Sequence, residues 1–124
     1  MLNKVYGYAR VSTKEQHLDR QIIALKKYGV DERDIVTDKE SGKDLDRKGY
    51  ALLKEQLLRP GDTLVIQDLD RLSRDKTHIN QELQYFQSQK IRVKILNIPT
   101  TLIDPPKGQE WVIEMTNNII IEVY

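Results

Sequence analysis

Residues 63–74 read Thr63-Leu64-Val65-Ile66-Gln67-Asp68-Leu69-Asp70-Arg71-Leu72-Ser73-Arg74. The first four residues predict the most apolar strand of the chain, buried within a sheet. The charged residues that follow stand where this strand would end. In open α/β sheets, ligands bind outside the carboxyl ends of the strands. This stretch therefore indicates both a fold class and the edge of the sheet at which chemistry would occur.

The same alternation of short β-forming runs and helical spacing extends to both sides of this segment. The predicted strands are residues 5–10, 35–37, 63–66, 93–98 and a short fifth at 100–103. The predicted helices are residues 14–28, which end at Gly29, then 49–58, 75–90 and 107–124, while residues 38–48 predict a polar loop. Strands that alternate with helices predict an α/β fold in which helices cover both faces of a mainly parallel sheet.

Composition limits the possible functions. The chain has 124 residues and a net charge of +1, so it predicts one domain and excludes histone-like binding of nucleic acid by bulk charge. It contains no cysteine, which excludes disulfides, thiolate zinc sites and a cysteine nucleophile. The amino terminus lacks the apolar stretch of a signal peptide, and no run approaches the ~18 apolar residues of a membrane span. We therefore expect a cytoplasmic protein with no membrane partner.

Three predicted strands end in residues suited to phosphate chemistry. These residues are Arg10 and Ser12 after the first strand, Asp38 after the second, and Asp70, Arg71 and Arg74 after the third. An arginine at the end of a buried strand is costly unless it meets a partner. Three arginines around one hydroxyl suit phosphoryl transfer, in which positioning and charge neutralisation carry most of the catalysis.

Ser12 has two interpretations that the spacing alone leaves open. Ser12 and Glu15 fit a capping box, in which the serine hydroxyl would only cap the next helix. Thr13 and Gln16 fit the same motif one residue later, which would leave the Ser12 hydroxyl free beside a helix amino terminus. A phosphate at that position would be favoured by the helix dipole.

The acidic and basic residues after the third strand also allow alternatives. Arg71 and Arg74 are three residues apart and could grip one anion, or each could form a salt bridge with Asp68, Asp70 or Asp75. Asp68 and Asp70 could instead bind a divalent metal, as paired carboxylates do in metal-dependent phosphotransferases and nucleases. Such a site usually has another acid at the end of the first strand, where this chain has basic and hydroxyl residues.

Several motifs, in order and in spacing, resemble the catalytic domain of the serine recombinases, the resolvase/invertase family. They are residues 6–13 (Tyr-Gly-Tyr-Ala-Arg-Val-Ser-Thr), Gln16, Asp19 with Gln21, residues 38–39, Ser41-Gly42, residues 46–49 and residues 69–74. The matches extend over essentially the whole chain, and the ordered set is far more specific than any one motif.

The resemblance implies a DNA strand transferase that cuts and rejoins DNA without a nucleotide, a metal or another cofactor. Ser12 would be the nucleophile that forms a 5′-phosphoserine bond, and Asp70 a candidate acid for the leaving 3′ oxygen. The phosphate-binding arginines would be Arg10, Arg47, Arg71 and Arg74. The supporting residues would be Tyr8, Gln16, Gln21, Asp38 and Asp46.

The resemblance also implies an architecture and partners. It implies a three-layer sandwich around about five strands, the last antiparallel, with residues 1–103 as the catalytic core. Residues 104–124 would begin a dimerisation helix that is cut short, and a separate DNA-binding domain would be absent. The expected partners are double-stranded DNA and a second copy of the chain, with a tetramer in the synaptic complex and no small-molecule substrate. The rival class is a non-catalytic α/β dimerisation or regulatory module, in which Ser12 only caps a helix.

Overall fold

The computed structural model describes residues 3–12, 18–40, 47–73, 75–109 and 111–123. For residues 11, 12, 18, 40, 117, 121 and 123 only the backbone is described. Among the helices in these ranges, none combines the length and the apolar content that a bilayer span requires.

The described strands form one parallel sheet in the order β2-β1-β3-β4. The strands are β1 (Val5–Ser12), β2 (Ile35–Glu40), β3 (Thr63–Ile66) and β4 (Arg92–Ile95). β1 is central, with Tyr8 paired to Val36 on one side and to Ile66 on the other. Arg10 pairs with Asp38, which brings a cation and a carboxylate to the same edge. The predicted α/β class and the parallel arrangement are confirmed.

Within the described ranges, four α-helices connect and cover the strands. They are α1 (Leu18–Tyr28), α2 (Lys48–Leu52), α3 (Lys76–Ser88) and α4 (Trp111–Val123). Leu53–Leu57 continues α2 as a π-helical segment, and short 3₁₀ turns lie at Glu32–Asp34, Leu69–Arg71 and Pro99–Leu102. α1 stops at Gly29, whose φ of +119° suits a residue without a Cβ, as the sequence predicted.

The alternation of side chains along β1 sets the three layers. Tyr6 and Tyr8 point into a core with Tyr50, Leu83 and Phe86 from the helices on one face. Ala9 points to the other face, into a smaller core with Leu25, Val30 and Val65. A Cβ at Gly7 would lie 3.1 Å from Leu25, so glycine lets α1 approach the sheet closely. The sandwich of helices around a sheet follows from these two apolar faces.

The predicted fifth strand is wrong. Residues 99–102 form a 3₁₀ turn instead, and the described part of the chain has no antiparallel strand. The Thr101 hydroxyl accepts from the backbone N–H of Ile95 at 2.8 Å and donates to the carbonyl of Ile98 at 2.7 Å. These side-chain hydrogen bonds satisfy groups that a strand would pair, and they fold the segment against the end of β4.

Other predicted boundaries shift by a few residues. β1 and β2 reach Ser12 and Glu40, so residues 38–40, predicted as part of the polar loop, belong to β2 instead. β4 ends at Ile95, and α3 is shorter than predicted at both ends. A turn at residues 107–108 delays α4 until Trp111. Residues 14–17 of the first predicted helix and residues 41–46 of the predicted loop lie outside the described residues.

Candidate active site

Arg10 stands near the carboxyl end of the central strand with its side chain buried. Only 5 % of its surface is exposed, and its Nη2 donates to the carbonyl of Asp70 at 2.5 Å. This bond links the end of β1 to the 3₁₀ turn after β3. Burial of a guanidinium is costly without such partners, so the position of Arg10 is held firmly.

Gln21 of α1 fixes the backbone of Arg10. Its Oε1 accepts from the Arg10 N–H at 3.1 Å, and its Nε2 donates to the Arg10 carbonyl at 3.0 Å. Gln21 is itself buried, so this pair of bonds satisfies backbone groups of Arg10 in a dry environment. The role is structural support of the strand that ends in Ser12.

We expect Gln21→Leu to lower the free energy of unfolding by about 1–3 kcal/mol, because the buried N–H of Arg10 loses this acceptor, while the Arg10 carbonyl keeps its bond from Arg71. The substitution keeps helix propensity and side-chain size, so little else changes. Urea denaturation of the chain measures the loss. Gln84→Leu is the matched control, since Gln84 is exposed on α3 and its replacement should change stability by less than about 0.5 kcal/mol. Equal losses of unfolding free energy in both variants would contradict the role of Gln21 in holding the backbone of Arg10.

Asp38 is the hub of the neighbouring strand end. Its carboxylate accepts from the Tyr8 hydroxyl at 2.6 Å, from the Gly49 N–H at 2.8 Å and from the Tyr50 N–H at 2.9 Å. The two backbone bonds cap the start of α2, where the helix dipole favours an anion. A Cβ on Gly49 would lie 2.8 Å from Asp38 Oδ1, so this close approach requires glycine. Burial, with the bond to Asp38, raises the pKa of the Tyr8 phenol, which stays protonated and donates.

Arg47 joins the start of α2 to the turn after β3. Its Nη1 donates to the carbonyl of Leu72, its Nη2 to the carbonyl of Arg71 at 2.5 Å, and its Nε to the Tyr8 hydroxyl at 3.3 Å. The guanidinium carbon lies 4.0 Å from the centre of the Tyr50 ring and 5.3 Å from that of Tyr8. Arg47 is thus clamped between backbone carbonyls and two aromatic faces.

Arg71 lies beside Arg10, between two carboxylates. Its Nη1 donates to the Arg10 carbonyl, and its Nη2 is 3.9 Å from Asp68 Oδ2. Its Nε is 3.2 Å from Asp70 Oδ1, an ion pair that lies outside hydrogen-bond geometry. Arg71 thus forms ion pairs with Asp68 and Asp70, and Asp70 is half exposed at the rim.

Asp68, the second carboxylate of the possible metal site, also has side-chain partners. It accepts from the Asn97 side-chain amide and faces Arg71. Burial raises the pKa of the Asp68 carboxyl, and the nearby charge of Asp70 raises it further. Within the described ranges, no three His, Asp or Glu side chains come together as a metal-binding group. A metal at this position would have to compete with the Arg71 guanidinium for both carboxylates.

The sheet edge brings most of the predicted site together. The side chains that meet there are Tyr8, Arg10, Gln21, Asp38, Arg47, Asp70 and Arg71. The backbone of Ser12 lies at the end of β1, paired with Glu40, but its side chain lies outside the description. Gln16, Asp46 and Arg74 also lie outside the described residues, so their predicted roles stay predictions.

Sequence reasoning missed Tyr50 and Asn97 as parts of this edge. Asn97 follows β4 by two residues, so the rule that located Asp38 and Asp70 could have included it. Tyr50 gives no such signal, because an aromatic residue on a helix beside a sheet ordinarily indicates core packing. Its contact with Arg47 depends on the fold.

Comparison with known proteins finds a family model and curated relatives that match most of the chain. The family model described as Resolvase, N terminal domain, matches residues 5–119. The chain is 43 % identical over 94 residues to the Transposon Tn3 resolvase of Escherichia coli, an alignment that covers 76 % of this chain and 50 % of that protein. It is 45 % identical over 73 residues to the DNA-invertase of Enterobacteria phage P7, covering 59 % of this chain and 38 % of the invertase. The chain thus spans about half the length or less of these two relatives.

Solved structures resemble the fold as a whole. The N-terminal catalytic domain of TP901-1 integrase aligns with a TM-score of 0.61 and 29 % identity, covering 98 % of each chain. A serine recombinase from Sulfolobus solfataricus aligns with a TM-score of 0.62 and 22 % identity, covering 96 % of this chain and 81 % of the other. At that lower identity, the second match supports the fold alone.

Proposed function

Because the chain belongs to the resolvase N-terminal domain family, we propose that it is the catalytic domain of a site-specific recombinase that breaks and rejoins double-stranded DNA. The observation that carries the proposal is the pair Arg10 and Arg71, hydrogen-bonded to each other's segments at the end of the strand that finishes in Ser12. Two guanidiniums held beside one hydroxyl-bearing residue suit a phosphodiester better than any uncharged substrate.

The proposed reaction is a transfer of a phosphoryl group from DNA to Ser12. The serine oxygen attacks phosphorus and loses its proton, while the bond from phosphorus to the 3′ oxygen breaks. The 3′ oxygen takes up a proton and leaves as a hydroxyl, and the 5′ end remains on the enzyme as a phosphoserine ester. The reverse attack by a 3′ hydroxyl of another strand rejoins the DNA, so the energy of the bond is conserved.

The residues of the sheet edge take distinct parts in this reaction. Arg10, Arg47 and Arg71, with Arg74, would neutralise the charge on the phosphoryl oxygens; a guanidinium has five N–H donors, so it can hold a backbone carbonyl and also bind phosphate. We assign Asp70, which is half exposed beside Arg71, as the candidate acid for the leaving 3′ oxygen. The supporting residues we assign are Tyr8, Gln16, Gln21, Asp38 and Asp46.

We also propose that residues 1–103 form the catalytic core and that residues 104–124 begin a helix for dimerisation. In support, α4 exposes Trp111, Met115 and Ile119 at intervals of four residues, while Ile120 packs into the core. Such a stripe fits the same helix of a second copy. DNA would be bound by a dimer, with a tetramer at synapsis, in the cytoplasm.

A trapped protein–DNA adduct tests this function. The chain is joined to a DNA-binding domain of known target site, and the substrate carries a nick that lets the cleaved fragment escape. We expect an adduct that resists denaturation, disappears with protease and retains label only from the fragment whose 5′ end is created by the break. Cleavage without an adduct would contradict serine transfer and favour a nuclease, while a binding complex with no cleavage would favour the non-catalytic module.

A further inference from the structure

A second polar cluster lies behind the active site, between α2 and α3. The buried carboxylate of Glu82 accepts from the Tyr50 hydroxyl at 2.5 Å and from Lys54 Nζ at 2.9 Å. His78 Nε2 is 3.9 Å from the same carboxylate, one turn earlier on α3. Glu82 is 5 % exposed, so its side chain is almost as buried as the apolar residues around it, whereas the side chains of Lys54 and His78 are partly exposed.

The presence of a charged glutamate at this buried position requires a physical explanation. An apolar side chain would pack against Tyr50 and Phe86 without desolvating a charge, and a buried ion pair rarely stabilises a protein more than an apolar replacement does. Burial, with the bond to Glu82, raises the pKa of Tyr50, so the phenol stays protonated and donates to the carboxylate. The cluster therefore fixes the orientation of one tyrosine at a cost that apolar packing would avoid.

That tyrosine is the surface on which Arg47 lies. The guanidinium carbon is 4.0 Å from the centre of the Tyr50 ring, closer than to any other ring it contacts among the described residues. Tyr50 also contacts Tyr8, at 5.2 Å between ring centres and 57° between planes. Hydrogen bonding to a carboxylate makes the phenol more electron-rich, which strengthens its attraction for a cation.

We propose that Glu82 is a positioning residue for strand transfer: it holds the Tyr50 ring, and through that ring the Arg47 guanidinium, at the edge of the sheet. This inference rests on the proposed function of the site, in which Arg47 binds the DNA phosphate. Glu82 does not touch the substrate. Its effect is carried by the chain Glu82–Tyr50–Arg47, which joins α3 to the turn after β3.

The first test is independent of activity and uses the 124-residue chain. A stacked ring shifts the NMR signal of the Arg47 Nε–H upfield, so that signal reports the contact directly. We expect Glu82→Leu to remove most of this shift and Glu82→Gln to retain it, because the amide oxygen still accepts from the phenol. Glu55→Leu, at an exposed position of the π-helical segment, is the matched control and should leave the signal unchanged. An Arg47 signal unaffected by Glu82→Leu would overturn the proposal.

Tyr50→Phe keeps the ring and removes only the hydroxyl, so it serves if Glu82→Leu does not fold. We expect it to broaden or move the Arg47 signal in the same direction as Glu82→Leu does. An unchanged signal in Tyr50→Phe would count against the proposal as directly as one in Glu82→Leu.

The second test uses the adduct assay with the targeted fusion. We expect Glu82→Leu to slow adduct formation about tenfold at saturating DNA, and Glu82→Gln to stay within about threefold of the parent. In an Arg47→Ala background, Glu82→Leu should cause no further loss, since both changes remove the same contribution. Fully additive losses would overturn positioning through Arg47. If the parent forms no adduct, the proposed function fails, and the NMR test still decides the contact.

Discussion

We expect the Ser12→Ala variant to form no covalent adduct with DNA while remaining folded. Ser12 closes the central strand, two residues after the backbone that Gln21 and Arg71 hold, so its backbone position depends on groups the substitution leaves intact. Loss of the hydroxyl removes the attacking atom, and adduct formation should fall by at least about 10⁴-fold. Even if the hydroxyl also caps the helix, its loss would cost only about 1 kcal/mol of folding free energy. Denaturing gels with a nicked substrate measure the adduct, and urea denaturation measures the fold.

Ser73→Ala is the matched control for this experiment. Ser73 lies in the segment after β3, next to the site, and its Oγ accepts from the Asp75 N–H at 3.1 Å. Its hydroxyl serves the backbone, so the variant should still form the adduct within about tenfold of the parent. An adduct that persists in Ser12→Ala and disappears in Ser73→Ala would reassign the nucleophile. One that persists in both variants would exclude both serines.

The sequence predicts best those parts of the fold in which apolar side chains indicate burial. Thr63–Ile66 is predicted to the residue because three of its four side chains are fully buried. β2 was predicted too short, since Asp38, Lys39 and Glu40 join the sheet through backbone bonds to β1, which leave no apolar signal. The fifth strand failed because a single hydroxyl, that of Thr101, pairs backbone groups that the strand would have used.

The candidate site likewise contains some residues that the sequence predicts and others that it does not. The rule that ligands gather at strand ends brought Arg10, Asp38 and Asp70 together correctly, because parallel strands end at one edge. The same rule does not identify Glu82, because a glutamate on an amphipathic helix ordinarily predicts a solvent-exposed face. Its partner Tyr50 is 32 positions away along the chain, and only the packing of α2 against α3 brings the two together. Long-range pairs of this kind have no local pattern.

The alternative interpretation of the site is a metal centre. Substitution of the arginines is the most direct way to distinguish the two interpretations. If guanidiniums neutralise the phosphate, adduct formation should persist in excess EDTA. It should depend strongly on Arg71, whose Nη1 donates to the Arg10 carbonyl while its Nε pairs with Asp70 at 3.2 Å. A lysine has a single ammonium at the end of its stem and cannot span both partners and a phosphate oxygen.

We therefore expect Arg71→Ala to slow adduct formation by about 10³-fold or more, and Arg71→Lys to stay at least about 10²-fold below the parent. Rates at saturating DNA, measured with and without EDTA, separate this effect from weaker binding. Arg33→Lys is the control, because that arginine is 82 % exposed and pairs only with nearby Asp31 among the described residues. It should leave the rate unchanged. A strict requirement for Mg²⁺, together with an active Arg71→Lys variant, would instead place the chemistry on Asp68 and Asp70. A metal bound by these carboxylates would then neutralise the phosphate in place of the guanidinium.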